Sequence, residues 1–579
     1  MKYNKRYRLM ISLVVLLFVL LMGRLYYVTV IAKEDIYAKA QNQISKEIIL
    51  PARRGDILDR NGAVLASTTE AYRLDADLVT FRKLLSSKGK TAESYAELIA
   101  KALGSDPAAV LAKLTADHNS IIIQRKIEKE TIDRVRTLID EEDINFLLIG
   151  YDNIRYYPNG SYLSHVLGSV NVDGSGVMGL EYYYNETLKG ISGLKIAEMD
   201  KKNRELPYAP VVETKAVNGN DLVLSIDERI QYFIENLAEK AMADFEAKSI
   251  SILVSDPKTG GILGMVNLPD FDPNNPWQDR TQEEFDQLTR NRAVNDAYEP
   301  GSTFKIVTFS AALEEGLVDE DDHFFCPGYI YVDGVRINCI KRDGHKDQTL
   351  GEVLKNSCNV GTILIAQKLG KETFNAYVKL YMFGQKTGID LPGESTGIVF
   401  KTENMKNVDL ATSSIGQANT VTPLQMLNAL NTIASGGVMN HLHLVDESVL
   451  RDKDEVVAQE NLGMKDGTRI ISESTSARML ELMYQAIGAN ERHQAYIADI
   501  PVFGKTGTAQ KIVQLEDGTM GYSDEEFISS FLGGAPYTDP KVTVLVVVDS
   551  PKGVVFGSVV AAPIFKEIIL EVDQYLNLE

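Results

Sequence analysis

The chain has 579 residues, 44% of them hydrophobic and 24% charged, the proportions of an ordinary globular protein of two to four domains. That composition excludes a disordered chain and a multi-span membrane protein, and its 18 prolines and 43 glycines form no low-complexity stretch. With 60 Lys and Arg against 80 Asp and Glu the net charge is −20, which repels phosphate backbones and excludes nucleic acid as a partner.

The first eight residues carry Lys2, Lys5, Arg6 and Arg8 and no acid. Leu9 to Val30 follows, 22 residues that are mostly Leu, Val, Ile, Met and Phe with one charge, Arg24. A helix of that length spans roughly 30 Å, the thickness of a bilayer core. The basic tail predicts a cytoplasmic segment 1–8, a single-pass anchor over 9–31, and everything after it outside. The rival is a secretory signal peptide, but the run is long for one and no small-x-small cleavage site follows promptly. Arg24 either snorkels to the outer interface or meets another membrane protein.

From Tyr37 to about Leu224 short strands and helices alternate. Asn61-Gly62 reads as a hairpin turn between apolar strands. Residues 91–140 place apolar positions at helical spacing among charges, which predicts two or three surface helices. After Asn218-Gly219-Asn220-Asp221 the composition shifts, and Ile226-Asp227 predicts a helix cap, with the helix running to about Phe245. Residues 250–255 and 261–266 read as a hairpin around Asp256-Pro257-Lys258-Thr259-Gly260. Residues 528–534 and 542–549 read as buried strands, and 562–576 as a last helix. Strands at both ends with helices between them predict one α/β domain whose sheet joins distant segments.

Three short motifs carry the chemistry. Pro300-Gly301-Ser302-Thr303-Phe304-Lys305 precedes an apolar helix from Ile306 to Leu313, so Ser302 lies in a first turn with Lys305 on the same face. A buried lysine there can take the hydroxyl proton. Ser357-Cys358-Asn359 precedes the apolar run 360–366; its hydroxyl can relay a proton and its amide can bind a carbonyl. Val502 to Ala509 reads as a strand carrying Lys505-Thr506-Gly507-Thr508, a charge and hydroxyls for a carboxylate beside a glycine that permits close approach. Each motif has a decoy: Ser87…Lys90 in a polar loop, Ser169-Val170-Asn171, and Lys386-Thr387-Gly388 in a turn, all read as structural. The seven histidines are scattered, which gives a Ser-His-acid triad no support.

In the order Ser-x-x-Lys, Ser-x-Asn, Lys-Thr-Gly, the three motifs form the signature of penicillin-recognising serine acyltransferases, and the chain resembles a class B penicillin-binding protein of the division, elongation or sporulation type. Arg54-Gly55, Ile57, Asp59-Arg60-Asn61-Gly62, Arg155, Tyr157-Pro158 and Gly179-Leu180-Glu181 resemble its pedestal motifs. Phe271-Asp272-Pro273-Asn274 and Gly416-Gln417 with Val421-Thr422-Pro423-Leu424-Gln425 resemble transpeptidase landmarks. The resemblance implies a mixed α/β (α+β) chain: anchor, pedestal (dimerisation) domain 32–222, and transpeptidase domain 223–579 with a five-stranded antiparallel sheet flanked by helices. It implies a peptidoglycan D,D-transpeptidase, with D-Ala-D-Ala carboxypeptidase chemistry as a side reaction. Ser302 would attack the stem-peptide carbonyl with Lys305 as base, and Ser357 would pass the proton to departing D-Ala. Asn359 and Thr508 would hold the donor, Lys505 and Thr506 its carboxylate, and the Ser302 and Thr508 N–H groups the oxyanion. Partners so implied are peptidoglycan stem peptides, β-lactams and a SEDS-family polymerase gripping anchor and pedestal. Two other readings are a β-lactam sensor, for which eight residues ahead of the anchor are too few, and a non-catalytic scaffold, which intact motifs oppose.

No cofactor is needed for this chemistry. All three cysteines, however, fall in the spacing Cys326-x12-Cys339-x5-His345-x12-Cys358, which suits a tetrahedral Cys3His zinc site. Some class B relatives resemble this in holding a structural metal beside Ser-x-Asn. The alternatives are a Cys326–Cys339 disulfide with Cys358 a buried hydrophobe, or neither; Asp343 or His323 could replace one ligand.

Overall fold

The computed structural model describes residues 2–36, 45–198, 206, 212–278, 280–452, 455–463, 465–515 and 518–578. Two compact units cut across the sequence: residues 1–53, 68–154 and 190–218 form one, and residues 54–67, 155–189 and 219–579 the other.

In the first unit the apolar run forms helix Lys2–Tyr26, continued by a π turn to Ile31, so the helix also includes the basic tail. Its span from Asn4 to Ile31 has a mean hydropathy of 2.4 and none of it is buried, long and apolar enough to cross a membrane. Arg24 lies over the Tyr27 ring at 5.5 Å. Helices Ala92–Leu103, Pro107–Leu114 and Lys129–Glu141 bear out the helical spacing of 91–140. Thr91 and Asp106 cap the first two by accepting from Ser94 N–H and Ala108 N–H. Their apolar faces close over Phe81, Tyr95 and Phe146. Between the helices the run Ile121-Ile122-Ile123 forms strand Ser120–Ile127, paired antiparallel with residues 72–77. The helical reading of 91–140 passes over it, although three β-branched residues in a row favour a strand.

The second unit brings the pedestal motifs together. Arg54 Nε and Arg155 Nε donate to the two carboxylate oxygens of the buried Glu181, at 2.5 and 2.6 Å. Arg54 also donates to the Glu181 carbonyl and Arg155 to the Gly55 carbonyl, both at 2.7 Å. Asn274, from the Phe271–Asn274 landmark, pairs with both backbone groups of Tyr157. The predicted hairpin is present: Ile57–Leu58 and Val64 onward pair antiparallel, and Gly62 turns between them at φ 89.

The core of this unit is a five-stranded sheet of β1 (Ser249–Ser255), β2 (Ile262–Leu268), β3 (Phe503–Gln514), β4 (Met520–Ala535) and β5 (Val542–Asp549). The order is β2-β1-β5-β4-β3, every pair antiparallel, as the family resemblance implies. The strands read as unbroken apolar runs because both faces are covered. Ile250, Ile252, Val254, Val544 and Val546 face one core with helix α1 (Glu228–Asp244) and the C-terminal helix α4 (Gly557–Leu576). Leu253, Leu545 and Val547 face the other core, with α2 (Lys305–Glu314) and α3 (Asn359–Leu380). Each such side chain, fully buried, contributes about 1.5–3 kcal/mol. Asp227 caps α1 as its sequence predicts, and α4 begins five residues earlier than the apolar pattern indicates. β3 ends the sheet order, with no neighbouring strand on its other side among the described residues.

Candidate active site

Ser302 stands in a 3-10 turn, Gly301–Phe304, that runs directly into α2. A 3-10 turn eclipses positions i and i+3, so it aligns Ser302 with Lys305 more closely than an α turn does. Three glycines set this turn. Gly301, at φ 55, donates its N–H to the Gly416 carbonyl at 2.9 Å, and a Cβ on Gly416 would lie 1.9 Å from the Gly301 oxygen. On the other side, a Cβ on Gly507 would lie 3.0 Å from Thr303 Cγ2 and 3.1 Å from the Pro300 oxygen. The close approach that Gly507 permits is therefore made by the protein's own Pro300–Thr303 turn against β3.

Lys305 is fully buried at the head of α2. Its Nζ donates to the Ser357 carbonyl (2.8 Å), Ser357 Oγ (3.2 Å) and Asn359 Oδ1 (2.8 Å). Lys505, on β3, donates to Ser357 Oγ at 3.1 Å and to the Thr506 carbonyl at 3.0 Å. One hydroxyl thus sits between two buried amines. Ser357 itself adopts φ 51, a left-handed conformation that costs a serine of order 1–3 kcal/mol and is found where surrounding structure enforces it. Burial pushes the Lys305 amine down to about 8. Burial, and then the charge of Lys305, pushes Lys505 well below the ordinary lysine range. Two such amines sharing one acceptor do not both stay charged near neutrality.

Asn359 opens α3 and donates from Nδ2 to the Asn338 carbonyl at 3.2 Å. Thr506 and Thr508, two apart on β3, share a half-exposed face. Thr508 Oγ1 accepts from Gly557 N–H at 3.0 Å, leaving its own proton to donate. Ser302 itself is half-buried. Hydrogen bonds thus join Lys305, Ser357, Asn359 and Lys505, with Ser302 one 3-10 turn before Lys305 and Thr506, Gly507 and Thr508 following Lys505 on β3.

The decoys fall elsewhere. Thr387 and Gly388 donate to the Glu394 carboxylate in a turn, and Ser169 is buried. Ser87 is in the last turn of helix Leu78–Lys88 rather than in a loop, because Gly89, at φ 69, ends the helix. Gly393-Glu394-Ser395-Thr396-Gly397 has the spacing of a nucleophile elbow but lies in a loop, where Ser395 Oγ accepts from Gly397 N–H. Sequence reasoning missed what holds the nucleophile segment: Tyr298 exchanges both backbone bonds with Val421, at 2.9 Å each. It also missed His493, which burial and the Lys505 charge push down to about 4, so it is neutral. No sequence signal marks His493; for the first, the Val421-Thr422-Pro423 landmark names one partner but nothing in it points to Tyr298.

Behind Ser357 and Asn359, Cys326, Cys339, His345 and Cys358 place their ligand atoms within 4.8 Å of one another. Cys339 Sγ is 3.8 Å from Cys358 Sγ and 3.5 Å from His345 Nδ1. All three cysteines are unpaired, so the Cys326–Cys339 disulfide is not formed. The sulfur separation matches the edge of a tetrahedron with bonds of about 2.3 Å, and the hydrogen bond between them pushes the Cys339 thiol down and the Cys358 thiol up. The residues fit a zinc ion. His323 instead pairs with Asp347, and the cluster of mutually close ligand atoms holds neither it nor Asp343.

A serine-bearing turn beside an antiparallel sheet's edge strand, with two lysines converging on a second serine, is the arrangement of a serine acyltransferase of the penicillin-recognising fold. Residues 250–570 match the penicillin-binding protein transpeptidase domain and residues 49–224 the penicillin-binding protein dimerisation domain. The chain is 35% identical to stage V sporulation protein D of Bacillus subtilis, over 98% of this chain and 85% of that one. It is 27% identical to the peptidoglycan D,D-transpeptidase FtsI of Escherichia coli, over 99% and 92%. Among solved structures, penicillin-binding protein 3 of Mycobacterium tuberculosis complexed with aztreonam superposes with a TM-score of 0.68 at 26% identity, covering 92% of this chain and 97% of that one. The chain belongs to the class B penicillin-binding proteins. It is a serine D,D-transpeptidase whose substrate is peptidoglycan and which binds β-lactams.

Proposed function

We propose that Ser302 is the nucleophile of a membrane-anchored enzyme that cross-links stem peptides. Ser302 Oγ attacks the penultimate D-Ala carbonyl, its proton passing to neutral Lys305. The Ser302 and Thr508 N–H groups hold the oxyanion. Ser357 hands a proton to the departing D-Ala amine as the C–N bond breaks, leaving an ester on Ser302. An acceptor amine attacks that ester and restores the hydroxyl. Lys505 and Thr506 bind the terminal carboxylate, and Asn359 and Thr508 hold the donor peptide. The observation that carries this reading is the Ser357 hydroxyl held between Lys305 and Lys505.

The finer assignments are part of the same proposal. Residues 1–8 are cytoplasmic, 9–31 span the membrane, 32–222 form the pedestal and 223–579 the extracytoplasmic transpeptidase domain. The basic tail ahead of the apolar helix supports that orientation. Anchor and pedestal hold a SEDS-family polymerase, an assignment that rests on family resemblance. A structural zinc on Cys326, Cys339, His345 and Cys358 fixes Ser357 and Asn359 from behind and takes no part in the acyl transfer.

Intact and native mass of the full-length protein in detergent, after benzylpenicillin, tests the reading. The expected result is one adduct mapping to Ser302, absent in Ser302→Ala, with one zinc in the native spectrum. Folded protein without an adduct would favour a scaffold; an adduct without zinc would remove only the metal.

A further inference from the structure

The Ser302 turn has a second tie that the chemistry above leaves unused. Glu299, three residues before Ser302 and 7% exposed, accepts at Oε1 from two sides: Ala418 N–H at 2.8 Å and the Tyr522 hydroxyl at 3.2 Å. Its other oxygen, Oε2, is buried with no hydrogen-bond partner among the described residues. Ala418 follows the Gly416 that braces Gly301 and is itself held at φ 65. Tyr522 comes from a different place, the outer arm of the β3–β4 hairpin.

That arm lacks a continuous ladder to the sheet. Along β3 and β4 the register runs regularly from Phe503 opposite Gly534 to Gln510 opposite Phe527. It then breaks, and Ile512 faces Tyr522, so residues 523–526 bulge out of the pairing. Beyond the bulge the arm is open to solvent: Ile512 is 48% exposed and Met520 69%. The Tyr522 hydroxyl reaches from this arm to a buried carboxylate beside the nucleophile.

If the terminal carboxylate lies at Lys505–Thr506 and the scissile carbonyl at Thr508, a stem peptide pairing antiparallel with the β3 edge continues past Thr508 toward Gln510 and Ile512. We propose that Glu299 and Tyr522 are positioning residues: a latch that sets the outer hairpin arm and so the edge that recognises the stem residues preceding D-Ala-D-Ala. This rests on the acyl-enzyme reading of Ser302. The latch does not touch the reacting atoms. It makes the longer donor bind better without changing the attack itself.

The test compares full-length wild type, Tyr522→Phe and Glu299→Gln with a pentapeptide donor, with a truncated acyl-D-Ala-D-Ala, and with benzylpenicillin. Losing the hydrogen bond to this buried carboxylate in Tyr522→Phe raises the pentapeptide KM about tenfold. The pentapeptide kcat, the truncated donor and penicillin acylation each stay within about twofold, as expected for lost binding remote from the reacting bond. Glu299→Gln keeps the Oε1 acceptor for both donors and gives its amide the unpartnered place, so it retains wild-type pentapeptide KM. An unchanged pentapeptide KM in Tyr522→Phe overturns the latch. So does a parallel loss on all three substrates with a lowered Tm, which marks a merely structural bond. Failure of wild type to take up penicillin refutes the Ser302 reading instead.

Discussion

Ser357 concentrates the electrostatics of the site in one hydroxyl. It receives hydrogen bonds from two fully buried lysines, and its backbone sits at φ 51 to make that possible. In this arrangement Lys305 is fully engaged, donating to three oxygens, and it accepts a proton from Ser302 only when neutral. Its amine is pushed down to about 8 by burial, so the neutral fraction grows as pH rises toward that value. Acylation by a β-lactam that does not ionise in the range should fall about tenfold per pH unit well below 8 and level off above it. Stopped-flow acylation of the full-length protein from pH 6 to 9.5 reads this directly. A flat profile would mean that Lys305 is not the titrating base.

Among elements, the Ser302 turn is held by backbone contacts on two sides. The Gly416 loop lies on one side and β3 on the other, each through a glycine with no room for a Cβ. Gly416→Ala places a methyl group 1.9 Å from the Gly301 oxygen and forces alanine into φ 81. The strained backbone alone costs of order 1–3 kcal/mol, and the clash is relieved only by moving the Gly301–Phe304 turn. Penicillin acylation should drop by more than about tenfold, the effect of misplacing a reacting group by roughly 1 Å, while far-UV CD still reports a folded protein. Acylation within twofold of wild type would show that the turn tolerates displacement. The Cys326–His345–Cys358 cluster makes a parallel point about elements. It joins the segment carrying Asn338 to the one carrying Ser357 and Asn359, so a structural ion there would brace the site without entering it.

For the whole molecule, the Arg54–Glu181–Arg155 network joins pieces of sequence more than a hundred residues apart within one compact unit. Glu181 is fully buried with both oxygens engaged by guanidinium groups, so removing its charge takes the shared carboxylate away from two buried cations. Glu181→Gln should destabilise the unit by about 3–5 kcal/mol. Denaturant unfolding followed by tryptophan fluorescence can measure it, since the single tryptophan, Trp277, lies in the same unit. A loss below 1 kcal/mol would show that water reaches the network. The anchor belongs to this scale as well, an apolar helix with no buried residue in its span, whose burial a bilayer would supply.

What the sequence determined by itself is what depends on neighbours along the chain. Apolar length set the N-terminal helix, Asp227 and Thr91 set helix starts, and unbroken Val and Ile runs set the central strands. The three-residue spacing of Ser302 and Lys305 put both on one edge of a turn, and the order of the three motifs sufficed for the family. Only the tertiary structure decided which sequence-distant groups meet. Ser357 Oγ lies between amines 52 and 148 residues away. The nearest sulfurs, 3.8 Å apart, are set by packing rather than by their spacing in sequence. Strand Ser120–Ile127 was overlooked because its helical surroundings outweighed three isoleucines until a partner strand was in place. Residues 54–67 and 155–189 join the transpeptidase unit through buried contacts that no local pattern records. Periodicity and capping are short-range and therefore legible in one dimension; convergence of distant side chains depends on burial and register, which exist only once the chain has packed.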